Sequence, residues 1–74
     1  MNEDIFGSKL FLNDIVAFNP PRYKGLVFAR VIGFTTKSIR VQFFLDRSVS
    51  FSEFENINPE NLKTTTTTQV VKKY

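Results

Sequence analysis

Three apolar segments in succession set the strongest constraint on the fold of this chain; they are residues 15–18, 26–34 and 37–44. The third segment alternates between apolar and polar positions, with Ile39, Val41 and Phe43 on one side. The second segment is apolar at nearly every position, so both of its faces are apolar. Alternation with a period of two over this length is typical of β-strands. The segments therefore predict three consecutive antiparallel strands.

Turn residues separate these strands. The Asn-Pro-Pro motif at residues 19–21 ends the first strand, because proline fixes φ and lacks a ladder donor. The loop that follows runs to Gly25 and carries two cations and one aromatic residue. Thr35 and Thr36 form the predicted hairpin tip, and Gly33 just before them permits a tight bend or a bulge.

The rest of the chain supplies two further strands. Residues 47–52 alternate again, which predicts a fourth strand with Val49 and Phe51 facing inward. Residues 58–61 predict a turn or a single 3₁₀ turn. Threonine favours strands, so residues 64–74 predict a fifth strand that returns beside the first.

These elements predict an all-β protein built as one small five-stranded barrel. Residues 13–74 form this single barrel domain. Residues 1–12 are too short and too broken by Gly7 and Ser8 for a helix, so we expect an extended N-terminal strap that packs on the barrel.

Composition excludes the commonest catalytic and metal-binding chemistry. The chain has 74 residues with nine Phe and two Tyr, and each enclosed aromatic buries roughly 150–250 Å², which is enough to build a small core. It has no Cys and no His, which removes soft-metal sites and the usual nucleophiles and bases. Glu53 and Glu55 are spaced like a strand pair that faces one side, but no third group supports them. We therefore expect a non-enzymatic protein without a cofactor or a metal.

The chain also lacks the signals of export. Glu3 and Asp4 stand where a secretory signal would carry Lys or Arg, and no apolar run approaches the ~20 residues that cross a bilayer. These features predict a cytoplasmic protein with no membrane association.

Several short motifs resemble those of SH3-like barrels, most closely the KOW and Tudor-like group. The motifs are Asp14-Ile-Val16, Gly25-Leu-Val27, Val31-Ile-Gly33 with Ile39-Arg-Val41, and Pro59-Glu-Asn-Leu62. The chain also resembles small barrel proteins of tailed bacteriophages, in which an Asp-Ile-Val-Ala strand, a Pro-Pro-Arg-Tyr-Lys-Gly-Leu loop and a terminal Val-Val-Lys recur. This resemblance implies a binding module, acting in the host cytoplasm if a phage encodes it. The chain has no Trp, so the resemblance does not extend to SH3 domains that bind proline-rich ligands.

Charge is unevenly distributed along the chain. Residues 15–45 contain five cations and no acid: Arg22, Lys24, Arg30, Lys37 and Arg40. Such a surface favours weak binding of DNA or RNA without sequence preference, through neutralisation of phosphates, with Tyr23 or Phe44 stacking an unpaired base. The competing interpretation is a solvated strand face whose cations protect against aggregation.

A protein partner is the alternative. The bulky face of the second strand, formed by Leu26, Phe28, Ile32 and Phe34, could dock on an acidic host protein surface within a rim of cations. A weak homodimer formed through the same face is a further possibility; otherwise the protein is a monomer. We favour the interpretation that the N-terminal strap covers this face.

Overall fold

The computed structural model describes residues 2–45 and 49–73, apart from the side chain of Phe51. Its strands are β1 (Ile15–Phe18), β2 (Val27–Phe34), β3 (Ile39–Phe43), β4 (Lys63–Thr67) and β5 (Val71–Lys72). A short helix, α1 (Phe51–Glu55), and a 3₁₀ turn (Pro59–Asn61) lie between β3 and β4. All neighbouring strands pair antiparallel in one sheet of order β4-β3-β2-β1-β5. The predicted all-β, five-stranded fold is confirmed.

The two edges of this sheet are joined by a very short link. Only residues 68–70 separate β4 from β5, so the Cα atoms of Thr67 and Val71 are at most about 14 Å apart. In a flat sheet, four strand spacings would place β4 and β5 roughly 19 Å apart. The sheet must therefore curl until its edges approach each other. Val70, in the link, is 1% exposed and joins the interior cluster where the edges meet.

Alternate residues of the first three strands fill the interior as the sequence pattern predicts. The buried cluster contains Leu10, Val16, Phe18, Val27, Ala29, Val31, Ile39, Val41, Phe43 and Val70. Phe18 and Phe43 meet edge to face with ring centroids 5.2 Å apart, a favourable aromatic geometry.

A β-bulge changes the facing of β2 near its end. The register shifts between Val31 and Gly33, so that Gly33 pairs with Arg40 and Phe34 pairs with Ile39. Paired residues share a face of the sheet, and Ile39 is buried in the interior. Phe34 therefore packs against the interior cluster, and its predicted place on the outer face beside Leu26 is wrong.

The N-terminal strap lies along β5. The Ile5 N–H donates to the Val70 carbonyl at 3.0 Å, and Leu10 is buried in the interior cluster. Leu26 and Ile32 remain 59% and 36% exposed, so the strap does not cover the outer face of β2 as expected.

Asp4 fastens the strap to β5. Its Oδ2 accepts from the Lys72 backbone N–H at 3.0 Å, and its Oδ1 accepts from the N–H groups of Phe6 and Ser8 at 2.9 and 2.8 Å. The hydrogen bond from Lys72 and those from Ser8 and Phe6 lower the pKa of Asp4, against the opposing effect of burial. The carboxylate thus joins the two ends of the chain.

The predicted fourth strand is wrong. Residues 46–48 lie outside the described residues, and the chain from Phe51 to Glu55 is helical. The side chain of Ser50 caps this helix by accepting from the Glu53 N–H, and Ser50 donates back to Glu53 Oε1 at 3.1 Å. Glu53 and Glu55, two residues apart on a helix, point to different sides, unlike the predicted strand pair.

Helix α1 covers part of the outer side of the sheet. It lies against β2, and Phe54 is 2% exposed without joining the interior cluster. Ile15, which faces outward opposite Arg30, is also buried outside that cluster. Helix α1 therefore shields part of the outer side of β2.

The last predicted strand divides into two. The threonines of β4 pair with β3, and after the link Val71 and Lys72 pair with β1, as the predicted return beside the first strand requires. Tyr74 lies outside the described residues. The 3₁₀ turn at Pro59–Asn61 confirms the prediction for residues 58–61.

Asp4 makes stability depend on acidity. Because its pKa is lower in the folded state, its contribution is complete above the pKa of an unfolded Asp, near 4, and is lost as the pH falls through the folded value. We expect Asp4→Asn to lower stability at pH 7 and to flatten the loss of stability below about pH 4. Chemical denaturation across pH 2.5–7 measures both effects.

Glu3→Gln is the control for the Asp4 test, because Glu3 is an exposed carboxylate next to it. If both variants keep the same acid dependence as the unsubstituted chain, Asp4 does not have the proposed role.

Substitution of Ser50 tests whether residues 51–55 form a helix or a strand. Ser50→Ala removes the cap of α1 and should lower the free energy of unfolding by about 0.5–1 kcal/mol. Ser52→Ala, at an exposed helical position, should change it by less than about 0.5 kcal/mol. If this segment were a strand, both serines would face outward and the two substitutions would change the free energy of unfolding equally. Denaturant titration of the two variants distinguishes the helix from the strand.

Candidate nucleic-acid interface

The loop of residues 19–25 (the basic loop) is held in one shape by its own hydrogen bonds. With its side-chain amide oriented so that the nitrogen faces the loop, Asn19 donates to the carbonyls of Gly25 and Tyr23, at 2.8 and 2.5 Å. The Tyr23 N–H donates to the Pro20 carbonyl at 3.2 Å, which closes a turn at residues 20–23. The loop therefore presents its cations from a fixed backbone.

Arg22 occupies a strained position in this turn. Its φ is +63°, and it follows Pro21, which defines a type II turn with Arg22 at the third position. That position normally holds glycine or asparagine, because a side chain there costs roughly 1–2 kcal/mol. A residue kept in a costly conformation is a candidate for a functional role.

Tyr23 anchors the basic loop and is not an open stacking platform. Its side chain is half-buried and packs against the interior cluster. Pro20 is buried as well. The packed ring of Tyr23 thus anchors the part of the loop that carries Arg22 and Lys24, its two neighbours in sequence.

A depression of about 420 Å³ lies between the basic loop and β4. Arg22 and Lys24 line it from the loop, and Thr66 and Thr67 line it from the strand. Because Thr66 is paired with Arg40 of β3, a third cation lies on the adjacent strand. The depression combines hydroxyl donors with nearby positive charge, which is the combination that binds phosphate oxygens.

The outward side chains of β2, β3 and β4 form two cross-strand rows beside this depression. Arg30 is opposite Gln42, which is opposite Thr64. Two residues along β3, Arg40 lies between Gly33 and Thr66, and a Cβ built on Gly33 would lie 3.6 Å from the Arg40 Cδ. The bulge thus places the glycine beneath the aliphatic part of Arg40.

Lys37 lies in the β2–β3 hairpin, whose tip is one residue later than predicted. The Thr35 N–H donates to the Ser38 carbonyl at 2.9 Å, and the Ser38 N–H donates to Thr35 Oγ1 at 2.9 Å. Lys37 is exposed at this tip. The neighbouring Thr36 shares a depression with Thr68, Gln69, Glu3 and Asp4, so the tip lies beside the strap and the link and does not line the depression of the basic loop.

The cations of this surface contrast with Lys72. Among the described residues, the one ion pair joins Lys72 Nζ to Asp14 Oδ2 at 3.3 Å. Lys72 also donates to the Lys9 carbonyl at 2.9 Å and lies 5.2 Å from the Phe11 ring centroid. Arg22, Arg30, Lys37 and Arg40 of this surface form no ion pair within that part of the chain, as is also true of Lys9 and Lys63. Their charge is not neutralised by these neighbours.

Phe44 lies apart from the basic loop. It is half-buried and lines a separate depression with Val49, Glu53 and Ile57. The structure therefore does not bring Phe44 and Tyr23 together as a stacking pair.

The residues of the alternative protein interface are also divided. Leu26 and Phe28 line an apolar pocket with Ala17 and Val49, whereas Ile32 lies at the bulge. Phe34 faces the interior, so these side chains do not form one continuous outer face.

Sequence reasoning misses two contributors. The pattern marks Asn19 only as a turn residue, although asparagine before two prolines suits a side chain that bonds to the loop backbone. It marks the threonine run only as a strand, and the proximity of Thr66 to the basic loop depends on the closure of the barrel. The second of these, unlike the first, is not local in sequence.

Other types of site find no support in the described chain. Within residues 2–45 and 49–73, no group of three or more acidic, His or Cys side chains is placed to hold a metal ion. No helix in these ranges is long and apolar enough to cross a membrane.

Comparison with known proteins gives a family but no activity. No curated protein and no solved structure matches the chain. Residues 2–73, nearly the whole chain, match the family described as a domain of unknown function, DUF7205. The chain therefore belongs to the DUF7205 family.

Proposed function

We propose that this protein binds the phosphate backbone of DNA or RNA weakly and without sequence preference. The binding residues are Arg22, Lys24, Arg30, Lys37 and Arg40, with hydroxyl groups from Thr64 and Thr66. The observation that carries the proposal is that four of these cations have no ion-pair partner among the described residues, which include six of the seven acidic residues.

The pairing pattern explains why these cations suit a phosphate chain. Arg30 and Arg40 project from neighbouring strands on one side of the sheet, with Gln42 and Thr64 continuing the row of polar groups. Opposite and diagonal side chains on a sheet lie roughly 5–8 Å apart. Successive phosphates along one strand of a nucleic acid are separated by a similar distance, so adjacent groups can contact adjacent phosphates.

The aromatic residues favour contact with the backbone over contact with bases. Tyr23 packs on the interior, and Phe44 is half-buried beside α1. A base that stacked on either ring would first have to displace existing packing. Phosphate contacts give affinity with little sequence information, so duplex and single-stranded nucleic acids should both bind.

An SH3-like barrel of the KOW and Tudor-like group is the relationship we propose for the fold. The meander of β1, β2 and β3, the 3₁₀ turn and the return of β5 beside β1 support it. We also propose that the protein acts in the cytoplasm, where nucleic acid is available, and in the host cytoplasm if a phage encodes it.

Arg22→Gln and Arg40→Gln should each weaken binding to a generic 20-base-pair duplex. Because each variant removes one cation from the phosphate backbone, affinity at about 50 mM salt should fall roughly threefold to tenfold, and the slope of log K against log salt should decrease by about 0.9. For the unsubstituted chain we expect a dissociation constant on the order of 10–100 µM at physiological salt. Fluorescence anisotropy at four salt concentrations measures these quantities.

Lys63→Gln is the matched control, because it removes the same charge from β4 at a position paired with the buried Phe43, on the other face of the sheet from Thr64 and Thr66. It should retain most of the affinity and the salt slope. The proposal is wrong if the unsubstituted chain fails to bind at low salt, if its affinity is independent of salt, or if the control loses as much affinity as the two arginine variants.

Two substitutions of Arg22 separate the effect of its charge from the effect of its strained backbone conformation. Arg22→Ala removes the charge but keeps a side chain at φ +63°, whereas Arg22→Gly removes both the charge and the strain. We expect equal losses of affinity, with the glycine variant more stable than the alanine variant by about 1 kcal/mol. Anisotropy and denaturant titration on the same samples test this; unequal affinities would show that backbone shape, rather than charge, determines binding.

A further inference from the structure

Phe11 is an exposed aromatic residue whose ring has two lysines beside it. The residue is 55% exposed. The Lys9 and Lys72 Nζ atoms lie 5.5 and 5.2 Å from its ring centroid. Phe6, on the same strap, is 76% exposed, but no cation lies over its ring in the described part of the chain. Phe11 therefore combines an accessible π face with positive charge, whereas Phe6 does not.

The ring of Phe11 is carried by a turn whose backbone is fixed. The Phe11 N–H donates to Asp14 Oδ2 at 2.9 Å, and the Asp14 N–H donates to the Phe11 carbonyl at 3.1 Å. Leu10 is buried in the interior cluster on one side of the ring. On the other side, the Asn13 N–H donates to the Val31 carbonyl of β2 at 2.8 Å. Because the backbone is already ordered, a ligand that binds the ring loses little affinity to the ordering of this turn.

The two lysines beside the ring have different roles. Lys72 is held in place by its ion pair with Asp14 and by its hydrogen bond to the Lys9 carbonyl. The Lys9 ammonium forms no ion pair within the described residues, although Glu3 is opposite Lys9 in an isolated bridge of the strap. A cation over an exposed ring is held only weakly, so Lys9 can move off the ring at small cost. Lys72 offsets the charge of Asp14, and Lys9 is left to meet an anion.

We infer that Phe11 is a stacking site for one unpaired base of a single-stranded nucleic acid, with Lys9 on an adjoining phosphate. A nucleotide supplies a flat π face and a negative charge in one unit, which matches the ring and the mobile ammonium together. An apolar side chain of a protein partner would match the ring alone and would bury the Lys9 ammonium without a counter-charge. In a duplex the bases are already stacked and paired, so the site acts on single strands.

This inference rests on the proposed function, because it takes nucleic acid as the partner. Val31, which holds the turn, directly follows Arg30 of the proposed phosphate-binding surface. A strand several nucleotides long can therefore contact Arg30 through its phosphates and Phe11 through a base. Phosphate contacts alone treat duplexes and single strands alike, whereas the Phe11 site adds a preference for single strands.

Phe11→Ala should weaken binding of an oligothymidylate about ten residues long by roughly fivefold to tenfold at about 50 mM salt, because base stacking on the ring is lost. Phe6→Ala, which removes an exposed Phe without cations, should change this affinity less than about twofold. An abasic oligonucleotide of the same length has the same phosphates but no bases. It should bind the unsubstituted chain about as weakly as oligothymidylate binds Phe11→Ala. Fluorescence anisotropy measures all four affinities.

Phe11→Trp provides a direct readout, because the chain has no Trp of its own. This variant keeps a stacking ring and should retain the affinity for oligothymidylate. Stacking of a base should quench its indole fluorescence, whereas the abasic oligonucleotide should not, and Phe6→Trp should be quenched by neither. Lys9→Gln should lower the slope of log K against log salt for oligothymidylate by about 0.7, the value for one phosphate contact on a single strand.

The inference is overturned if Phe11→Ala and Phe6→Ala bind oligothymidylate equally, or if the abasic oligonucleotide binds the unsubstituted chain as tightly as oligothymidylate does. In either case the proposed function stands as long as Arg22→Gln and Arg40→Gln still weaken duplex binding. If the Phe11 variants respond as expected while the two arginine variants bind normally, the stacking site stands and the proposed basic surface does not. Absence of any binding at low salt overturns both.

Discussion

The barrel depends on one carboxylate that joins the ends of the chain. Strand β5 has only two residues, and hydrogen bonds to β1 alone would leave its outer edge open. Asp4 accepts the outward Lys72 N–H, and Ile5 donates to the neighbouring Val70 carbonyl. Because β5 holds the link to β4, the same contacts keep β4 beside the basic loop. The candidate binding surface therefore depends on a residue that lies outside it.

The parts of the fold that could be predicted are those determined locally. The bounds of β1 follow from four apolar residues before two prolines, and the inward residues of β3 follow from strict alternation. The face of the sheet on which Phe34 lies could not be predicted. Gly33 permits a bulge, but whether the bulge forms depends on how β2 pairs with β3. A shift of one residue reverses the facing of every side chain after it.

Helix α1 shows a local ambiguity that only packing resolves. Alternating serine and apolar residues fit a strand, but Ser50 followed three residues later by Glu53 also fits a capping box. The burial of Phe54 against the outer side of the sheet favours the helix. For the candidate site, the cationic residue types were predictable. The position of Thr66 on the same depression as the basic loop required barrel closure, which no local pattern contains.

Strand β4 consists almost entirely of threonine, and this determines which sequence changes the strand can accept. Thr65 and Thr67 face the interior and Thr64 and Thr66 face solvent, yet their side chains are identical, so β4 itself does not distinguish one alignment with β3 from another. The alignment is imposed from outside the strand, by the 3₁₀ turn before it and by Val70, which must reach the interior after it. The threonines thus act as a spacer of fixed length. For the fold, substitution within the run should be tolerated during evolution far better than the loss or gain of a single residue.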